Sequence, residues 1–336
     1  MGFVKYVFQR VSSFDKERFK KHMDVMVENT GKSKAYIKFD WLKNLIIYGV
    51  GYTDYFRGNF IELKRKEKKT FVTSKSFYKI LQKLNDKEYT CNLRDKIKFN
   101  NLFKEFLNRD FIDLREKSCD DFKRFLKDKD VVFAKVVYGY GGHGVNKIEI
   151  SNDLDIEKTY QTLIENKQFL VEEEIKQHEA VNEINPYSVA SFRVVTLLDD
   201  SGKPFVIANS FRINQGKNEV VGSSDDMYFA LSEDGKIDGN VIDDYGNVYA
   251  EHPLTHKKFK DVKVPFVKDA FELCKKASLK LPQVRYIGWD VAISKTGAVL
   301  MEGNEYPGYG VIQFYKLKGS RTGHKKQIED ALGHSI

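Results

Sequence analysis

Cysteine is scarce in this chain of 336 residues, and Cys91, Cys119 and Cys274 stand far apart with no C-x-x-C pair among them. Neither a disulfide framework nor a thiolate zinc site is therefore indicated, and the thiols are expected to be reduced and inert. No apolar run approaches the roughly 20 residues of a membrane span. Lys5 and Arg10 lie where a signal peptide needs its apolar core, and Tyr6 stands where a myristoylation pattern needs Ser or Thr. The expected location is the cytoplasm. Internal repeats, linkers and low-complexity segments are also missing, so the lobes are expected to touch closely.

What is present is enough apolar sequence, 41%, for a large core divided into two or three lobes. The net charge of +8 is uneven, because residues 1 to 92 hold 20 Lys and Arg against 10 Asp and Glu. A basic first lobe can attract nucleic acid, anionic lipid or an acidic glycan, or can simply be a solvated lysine-rich surface. Residues 12 to 28 space Phe19, Met23, Met26 and Val27 as an amphipathic helix after Ser13 as its cap. Asp40 to Val50 is mostly apolar, Leu63 to Lys69 is a charge run, and Phe77 to Leu84 is again helical.

The richest stretch is Tyr286 to Gly308. Ile287, Trp289, Val291 and Ile293 alternate with Gly288, Asp290, Ala292 and Ser294, the period of a half-buried strand. After Lys295-Thr296-Gly297 a second strand places Glu302 and Asn304 on one face. A three-residue turn ending in Gly297 would pair Ser294 with Ala298, Ala292 with Leu300 and Asp290 with Glu302. Opposed carboxylates repel, and with an amide oxygen beside them they form a hard-oxygen cluster suited to Mg²⁺. The alternative is a solvated hairpin face carrying two unrelated acids.

Val131 to Val137 reads as a strand carrying Lys135, followed by glycines 139, 141, 142 and 144 and then by another strand. Glycine lets backbone N–H groups approach phosphate oxygens. A strand on both sides and no G-K-[ST] exclude the dinucleotide fingerprint and the Walker loop. Lys135 on an apolar strand needs an anion, unless it protects a sheet edge. Lys96, beside a possible cap at Asp95, sits where a helix start can hold an anion. Glu172-Glu173-Glu174-Ile175 ends a strand and can offer backbone groups and a carboxylate to an adenine edge, or be a solvated edge. Arg193 and Arg212 lie in apolar strands and want oxyanions, or else a core carboxylate. Asp225 to Asp238 reads as a hairpin or loop near the substrate. His252 and His256 have zinc-ligand spacing, but Pro253 argues against a helix there and no third ligand is evident.

These pieces follow the order of the ATP-grasp superfamily: D-K before a helix, a strand lysine, a glycine flap, an acidic hinge and D…E-x-N on late strands. The chain resembles especially the sugar-transfer associated branch, through F-L-V-E-E-E-I-K-Q-H, S-F-R-V-V-T, H-P-L-T, I-G-W-D-V-A and M-E-G-N-E-Y-P-G. The resemblance implies an α+β ATP-grasp fold with ATP between two α+β subdomains, plus the basic amino-terminal lobe. The corresponding divisions are residues 1–92, 93–185 and 186–336. It implies ATP phosphates on Lys96, Lys135, Gly141, Gly142 and Gly144, and adenine at Glu172, Glu173 and Ile175, with Glu179 for the ribose. Two Mg²⁺ ions would sit at Asp290, Glu302 and Asn304, and Arg193 and Arg212 near the transferred phosphoryl group. Ala190-Ser191-Phe192 and Tyr228-Phe229-Ala230 depart from the branch's pattern around the acceptor. The expected activity is ADP-forming ligation of a carboxylate to an amine or other nucleophile through an acylphosphate, in surface glycan synthesis. A sugar or metabolite kinase is the alternative, and a non-catalytic glycan- or nucleic-acid-binding module a second. No membrane span and no nucleic-acid partner are expected.

Overall fold

Asp15, Ser33 and Thr73 each accept a hydrogen bond from a first-turn N–H, which starts helices α1 (Lys16–Thr30), α2 (Lys34–Tyr48) and α3 (Ser74–Leu84). The structure, a computed structural model, describes residues 15–139, 143–217 and 226–336. Ser13, expected as the first cap, lies outside them, and Asp15 takes that role for α1. Within the charge run, Arg65–Lys68 form a one-turn helix at the surface, with Glu67 paired to Arg321 at 2.8 Å. The further longer helices are α4 (Lys96–Leu102), α5 (Cys119–Leu126), α6 (Ile156–Glu165), α7 (Val267–Leu279) and α8 (Lys325–Leu332). None of the described helices is long and apolar enough to cross a membrane.

Two antiparallel sheets follow. The small one joins β1 (Phe111–Asp113), β2 (Val131–Lys135), β3 (Val145–Glu149) and β4 (Leu170–Glu173) in the order β1-β4-β2-β3. Val132, Ala134 and Val171 alternate inward against Phe122 and Leu126 of α5 and Leu163 of α6. Lys135 and Glu172 therefore emerge on the other face. Because β2 lies between β4 and β3, Lys135 is not protecting an edge.

The large sheet contains β5 (Ser191–Leu198), β6 (Pro204–Asn214), β7 (Asp226–Phe229), β8 (Val241–Asp243), β9 (Val248–Tyr249), β10 (Tyr286–Ser294) and β11 (Gly297–Asn304), in the order β11-β10-β5-β6-β7-β8-β9. Residues 226–229, expected in a loop or hairpin, are a fully buried strand between β6 and β8. One face packs Phe192, Val194, Trp289 and Val291 against Phe271, Cys274 and Ala277 of α7. On the other face Val195, Leu197 and Tyr286 meet Phe77 and Ile80 of α3 and Ile328 of α8.

The β10–β11 hairpin differs instructively from the expected register. Ser294 opposes Gly297, Ile293 opposes Ala298 and Ala292 opposes Val299, so the turn is the two residues Lys295-Thr296 rather than three. A β-bulge then inserts Met301 between the Val291–Leu300 and Asp290–Glu302 pairs. The bulge supplies the residue that the shorter turn lacks. Asp290 thus opposes Glu302 as expected, although the expected partners of Ser294 and Ala292 are each displaced by one.

The first lobe shares its core with the large sheet: Met23, Met26, Ile37, Phe56 and Phe60 cluster with Tyr228, Ile242, Phe314 and Leu317. At their junction Asp244 takes ion pairs from both Arg18 and Arg57, and His22 stacks on Phe56 with ring centroids 4.0 Å apart. Burial drives the His22 imidazole down from 6.5 to about 4, with the Asp244 carboxylate opposing that shift. A depressed folded-state pKa means that the unfolded chain binds the proton more readily, so this contribution is present above pH 6.5 and is lost as pH falls toward 4. The expected loss across that window is about 3 kcal/mol. Urea melts of the wild type and of His22→Phe, which keeps an aromatic ring on Phe56, should diverge in pH dependence by that amount.

Candidate functional site

Between the sheets lies a cleft of about 1000 Å³, lined by Lys96, Lys135, Glu172, Glu173, Ile175, Arg193, Arg212, Asp290, Glu302 and Asn304. Antiparallel pairing explains the convergence. Ser191 opposes Arg212 and Arg193 opposes Asp290, so β5, β6, β10 and β11 present their polar residues side by side. Gly288 makes room at the rim, where a Cβ would come within 2.8 Å of Pro307 Cα.

Asp290 is the centre of this face. Its Oδ1 accepts from Arg193 Nε at 2.7 Å and Ser191 Oγ at 3.0 Å, and its Oδ2 from Arg193 Nη2 at 2.9 Å and Asn304 Nδ2 at 3.0 Å. Burial alone would raise this carboxyl, but Arg193 overrides it and holds the pKa below the usual range. Arg193 Nη1 also donates to Pro307 O at 3.0 Å. Burial pushes Glu302 up; Lys96, whose Nζ is 3.9 Å away, opposes that shift, while Asp290 adds to it. Arg212 is paired with the buried Asp226 and lies over the Tyr228 ring, 5.4 Å from its centroid. Both arginines therefore have the carboxylate partners that were the alternative to oxyanion binding, while both still line the cleft.

Lys96 follows the cap Asp95, which accepts from Ile97 N and Lys98 N at 3.0 Å and from the Tyr138 hydroxyl at 2.9 Å. Its Nζ donates to Gly139 O at 2.7 Å, tying α4 to the start of the glycine flap. Gly141 and Gly142 lie outside the described residues. Gly144 has a left-handed φ of 72°, and a Cβ there would come within 2.7 Å of Val136; it does not line the cleft. His143 does.

The anion beside Lys135 belongs to the protein. Glu172 pairs with Lys135, accepts from Arg109 Nη2 at 2.6 Å and Nε at 3.0 Å, and from Asn100 Nδ2 at 2.8 Å. Burial would raise its carboxyl, but Arg109 and Lys135 hold it down at about 2. This carboxylate is thereby engaged with side chains and not presented to an adenine edge, which corrects the expectation from sequence. Glu173 Oε2 accepts from Asp110 N at 3.2 Å. Glu179, expected at the ribose, is exposed in the short helix Glu179–Asn182 and does not line the cleft. His178 N donates to Ile293 O at 2.9 Å and Lys295 N to Lys176 O at 3.1 Å, so the hinge is fastened to the tip of the β10–β11 hairpin before that helix begins.

Sequence reasoning missed Arg109, Asn100 and Ser191. Arg109 binds Glu172 on the small sheet and, through Nη1, Leu300 O on the large sheet at 2.6 Å. Its only signal was an arginine in the polar turn N-R-D ahead of an apolar strand. His252 is structural: its Nδ1 accepts from Leu254 N at 3.1 Å and Thr255 N at 3.2 Å, so Nε2 donates to Asn214 O at 2.6 Å. Among the described residues no group of three or more His, Cys, Asp or Glu is arranged to hold a metal.

Two antiparallel sheets with helices on their outer faces clasp a cleft that carries both basic and acidic side chains, the architecture of the ATP-grasp fold. The chain belongs to the sugar-transfer associated ATP-grasp family, whose model matches residues 72–329. No curated protein matches it. Similar solved structures include a biotin carboxylase from Campylobacter jejuni, at 15% identity over 78% of this chain and 52% of that one, with a TM-score of 0.46. Others are the D-alanine–D-alanine ligase from Coxiella burnetii, at 10% identity over 76% and 59% with a TM-score of 0.42, and N5-carboxyaminoimidazole ribonucleotide synthetase from Thermotoga maritima, at 14% over 74% and 52% with a TM-score of 0.41. The chain spans about half the length of the solved structures it matches. These are distant likenesses, and membership rests on the family match.

Proposed function

We propose that the chain is an ATP-dependent, ADP-forming ligase that joins a carboxylate to an amine or similar nucleophile. The observation that carries this reading is the placement of Arg193 and Arg212 as diagonal neighbours on adjacent strands, facing the same cleft as Lys96 and Lys135. Guanidinium forks suit carboxylate and phosphoryl oxygens alike. In the proposed reaction a substrate carboxylate oxygen attacks the γ-phosphorus, the bond to the β-phosphate oxygen breaks and ADP leaves. The amine then attacks the acyl carbon, expels phosphate and gives up a proton. Lys96, Lys135 and the main chain around Gly139 and His143 would hold the phosphates, with the backbone of Glu173 to Ile175 at the adenine.

The donor set suits Mg²⁺, since Glu302 offers a carboxylate with a raised pKa and Asp290 and Asn304 stand beside it. Asp290 already accepts four hydrogen bonds, so it would join the ion's shell by releasing one donor. Bound there, the ion would supply charge neutralisation to the phosphates. The family's association with sugar transfer supports a glycan-linked substrate, and the proposed location is the cytoplasm.

The test is to incubate the protein with Mg²⁺-ATP, candidate acids and hydroxylamine. Hydroxamate formed alongside ADP and phosphate is the expected result. A stable phosphorylated acceptor with no hydroxamate, from a compound that stimulates ADP release, would replace the ligase with a kinase. In a second experiment Lys135→Ala is expected to remain folded, because Glu172 keeps Arg109 and Asn100, and to lose ATP affinity or turnover by at least about tenfold. Unchanged nucleotide titration would remove Lys135 from the phosphate site.

A further inference from the structure

Helix α2 is built inside out. Its inward stripe holds Ile37, Asp40, Trp41, Asn44 and Tyr48, and the two polar members are satisfied within the protein. Asp40 Oδ2 accepts from the Tyr55 hydroxyl at 2.7 Å and from Asn44 Nδ2 at 3.0 Å, and Lys68 Nζ donates to Asn44 Oδ1 at 3.0 Å. Those bonds, with Ile37 fully buried, fix the rotation of the helix about its axis. The opposite face carries Tyr36, Phe39, Leu42, Ile46 and Ile47, which are 50%, 69%, 48%, 81% and 56% exposed. A helix normally turns its apolar stripe to the core. Contiguous exposed apolar surface of this kind marks a binding face.

We propose that α2 docks the protein flat on an anionic phospholipid surface. Lys38 flanks the apolar stripe and Lys43 lies within it, both exposed, where long side chains can reach headgroup phosphates while Phe39 and Ile46 enter the acyl boundary; Lys34, at the start of the helix, is exposed as well and pairs with Asp24. Charge selects this occupant over a second copy of the chain. A two-fold pairing of α2 with itself would bury Lys43 within an apolar stripe that offers no acid to meet it, since both copies of Asp40 would remain turned inward. The whole first lobe reinforces the sign, with 20 Lys and Arg against 10 acids up to residue 92. At 15 residues α2 is too short to span a bilayer and long enough to lie in its surface. The inference stands apart from the ligase chemistry, since none of these residues lines the cleft.

The test is flotation of the full chain with phosphatidylcholine vesicles made with or without phosphatidylglycerol. Binding to the anionic vesicles, weakened by salt, is expected, with at least about a tenfold loss in Phe39→Ser/Ile46→Asp. Both positions are exposed, so circular dichroism and thermal melting of the variant should match the wild type. Equal binding to neutral vesicles would overturn the role given to the lysines. Absence of vesicle binding would overturn the proposal, as would a concentration-dependent dimer, seen by sedimentation velocity, that Ile46→Asp dissociates.

Discussion

Glu172→Gln is expected to destabilise the protein by about 3–5 kcal/mol, the cost of stripping the counter-charge from buried cations. Glu172 is 2% exposed and is the shared partner of Lys135 and Arg109, so the amide would leave an amine and a guanidinium facing a group with no charge. Volume is conserved, which separates the electrostatic loss from any cavity. Arg109 also carries the bond to Leu300 O, so the loss should loosen the small sheet from β11 as well as weaken β2 and β4. Urea denaturation would show a lower midpoint at unchanged slope. A shift equal to that of an exposed pair, at most about 1 kcal/mol, would mean that water enters the cluster and that the cations do not depend on Glu172. The charge also sets a pH limit. With its pKa held at about 2 against 4.5 for an ordinary glutamate, Glu172 contributes stability that is present above pH 4.5 and disappears as pH falls toward 2.

Asp290→Asn is expected to lower ATP turnover by about 100- to 1000-fold, the scale on which removal of one preorganised charged contact acts on a transition state. The carboxylate holds Arg193 through two parallel bonds and takes Ser191 and Asn304 besides. An asparagine has one acceptor oxygen, so its amide N–H groups would face N–H groups of Arg193 or Asn304. The guanidinium would lose its fixed direction without leaving the cleft. The side chain is partly exposed at the cleft, which limits the stability cost to about 1–2 kcal/mol. ADP release assayed against ATP concentration distinguishes the effect: a fall in kcat with a smaller change in KM is expected from misplacement of the transferring group. Turnover within about threefold of wild type would mean that Asp290 merely props Arg193.

Alternation exposed much of this site to sequence reading. The period-2 pattern put Asp290, Glu302 and Asn304 on one side of a hairpin, and Arg193 and Arg212 on neighbouring strands, because in an antiparallel sheet facing direction follows from position alone. Contacts across long stretches of chain were not legible. Lys135 announced that it needed an anion, yet nothing local identified Glu172, 37 residues on, as that anion. The same residue read as an adenine ligand because three acids in a row look alike until burial separates them. Glu179 was placed at the ribose through the resemblance alone, and the structure sets it exposed in the helix Glu179–Asn182, just after the bonds that tie the hinge to β10. The turn at Lys295-Thr296 was misjudged because local turn chemistry does not reveal a bulge several residues downstream.

That bulge has a consequence for how the hairpin can change length. Strand faces obey a parity rule, in which a single inserted residue inverts everything beyond it. Here a two-residue turn and the extra Met301 add up to the offset of a three-residue loop, so the mouth of the hairpin, from Asp290–Glu302 to Gly288–Asn304, is insulated from the tip. Adding one residue between Lys295 and Thr296 while deleting Met301 should conserve that offset and leave the acidic pair opposed. Removing Met301 alone would also keep the pair, because Glu302 would then follow Leu300 directly into the place opposite Asp290; retaining Met301 while straightening the bulge would instead send Glu302 to the α7 side of the sheet. The acidic pair thus hangs on the bulge rather than on the length of the tip, which the hinge holds.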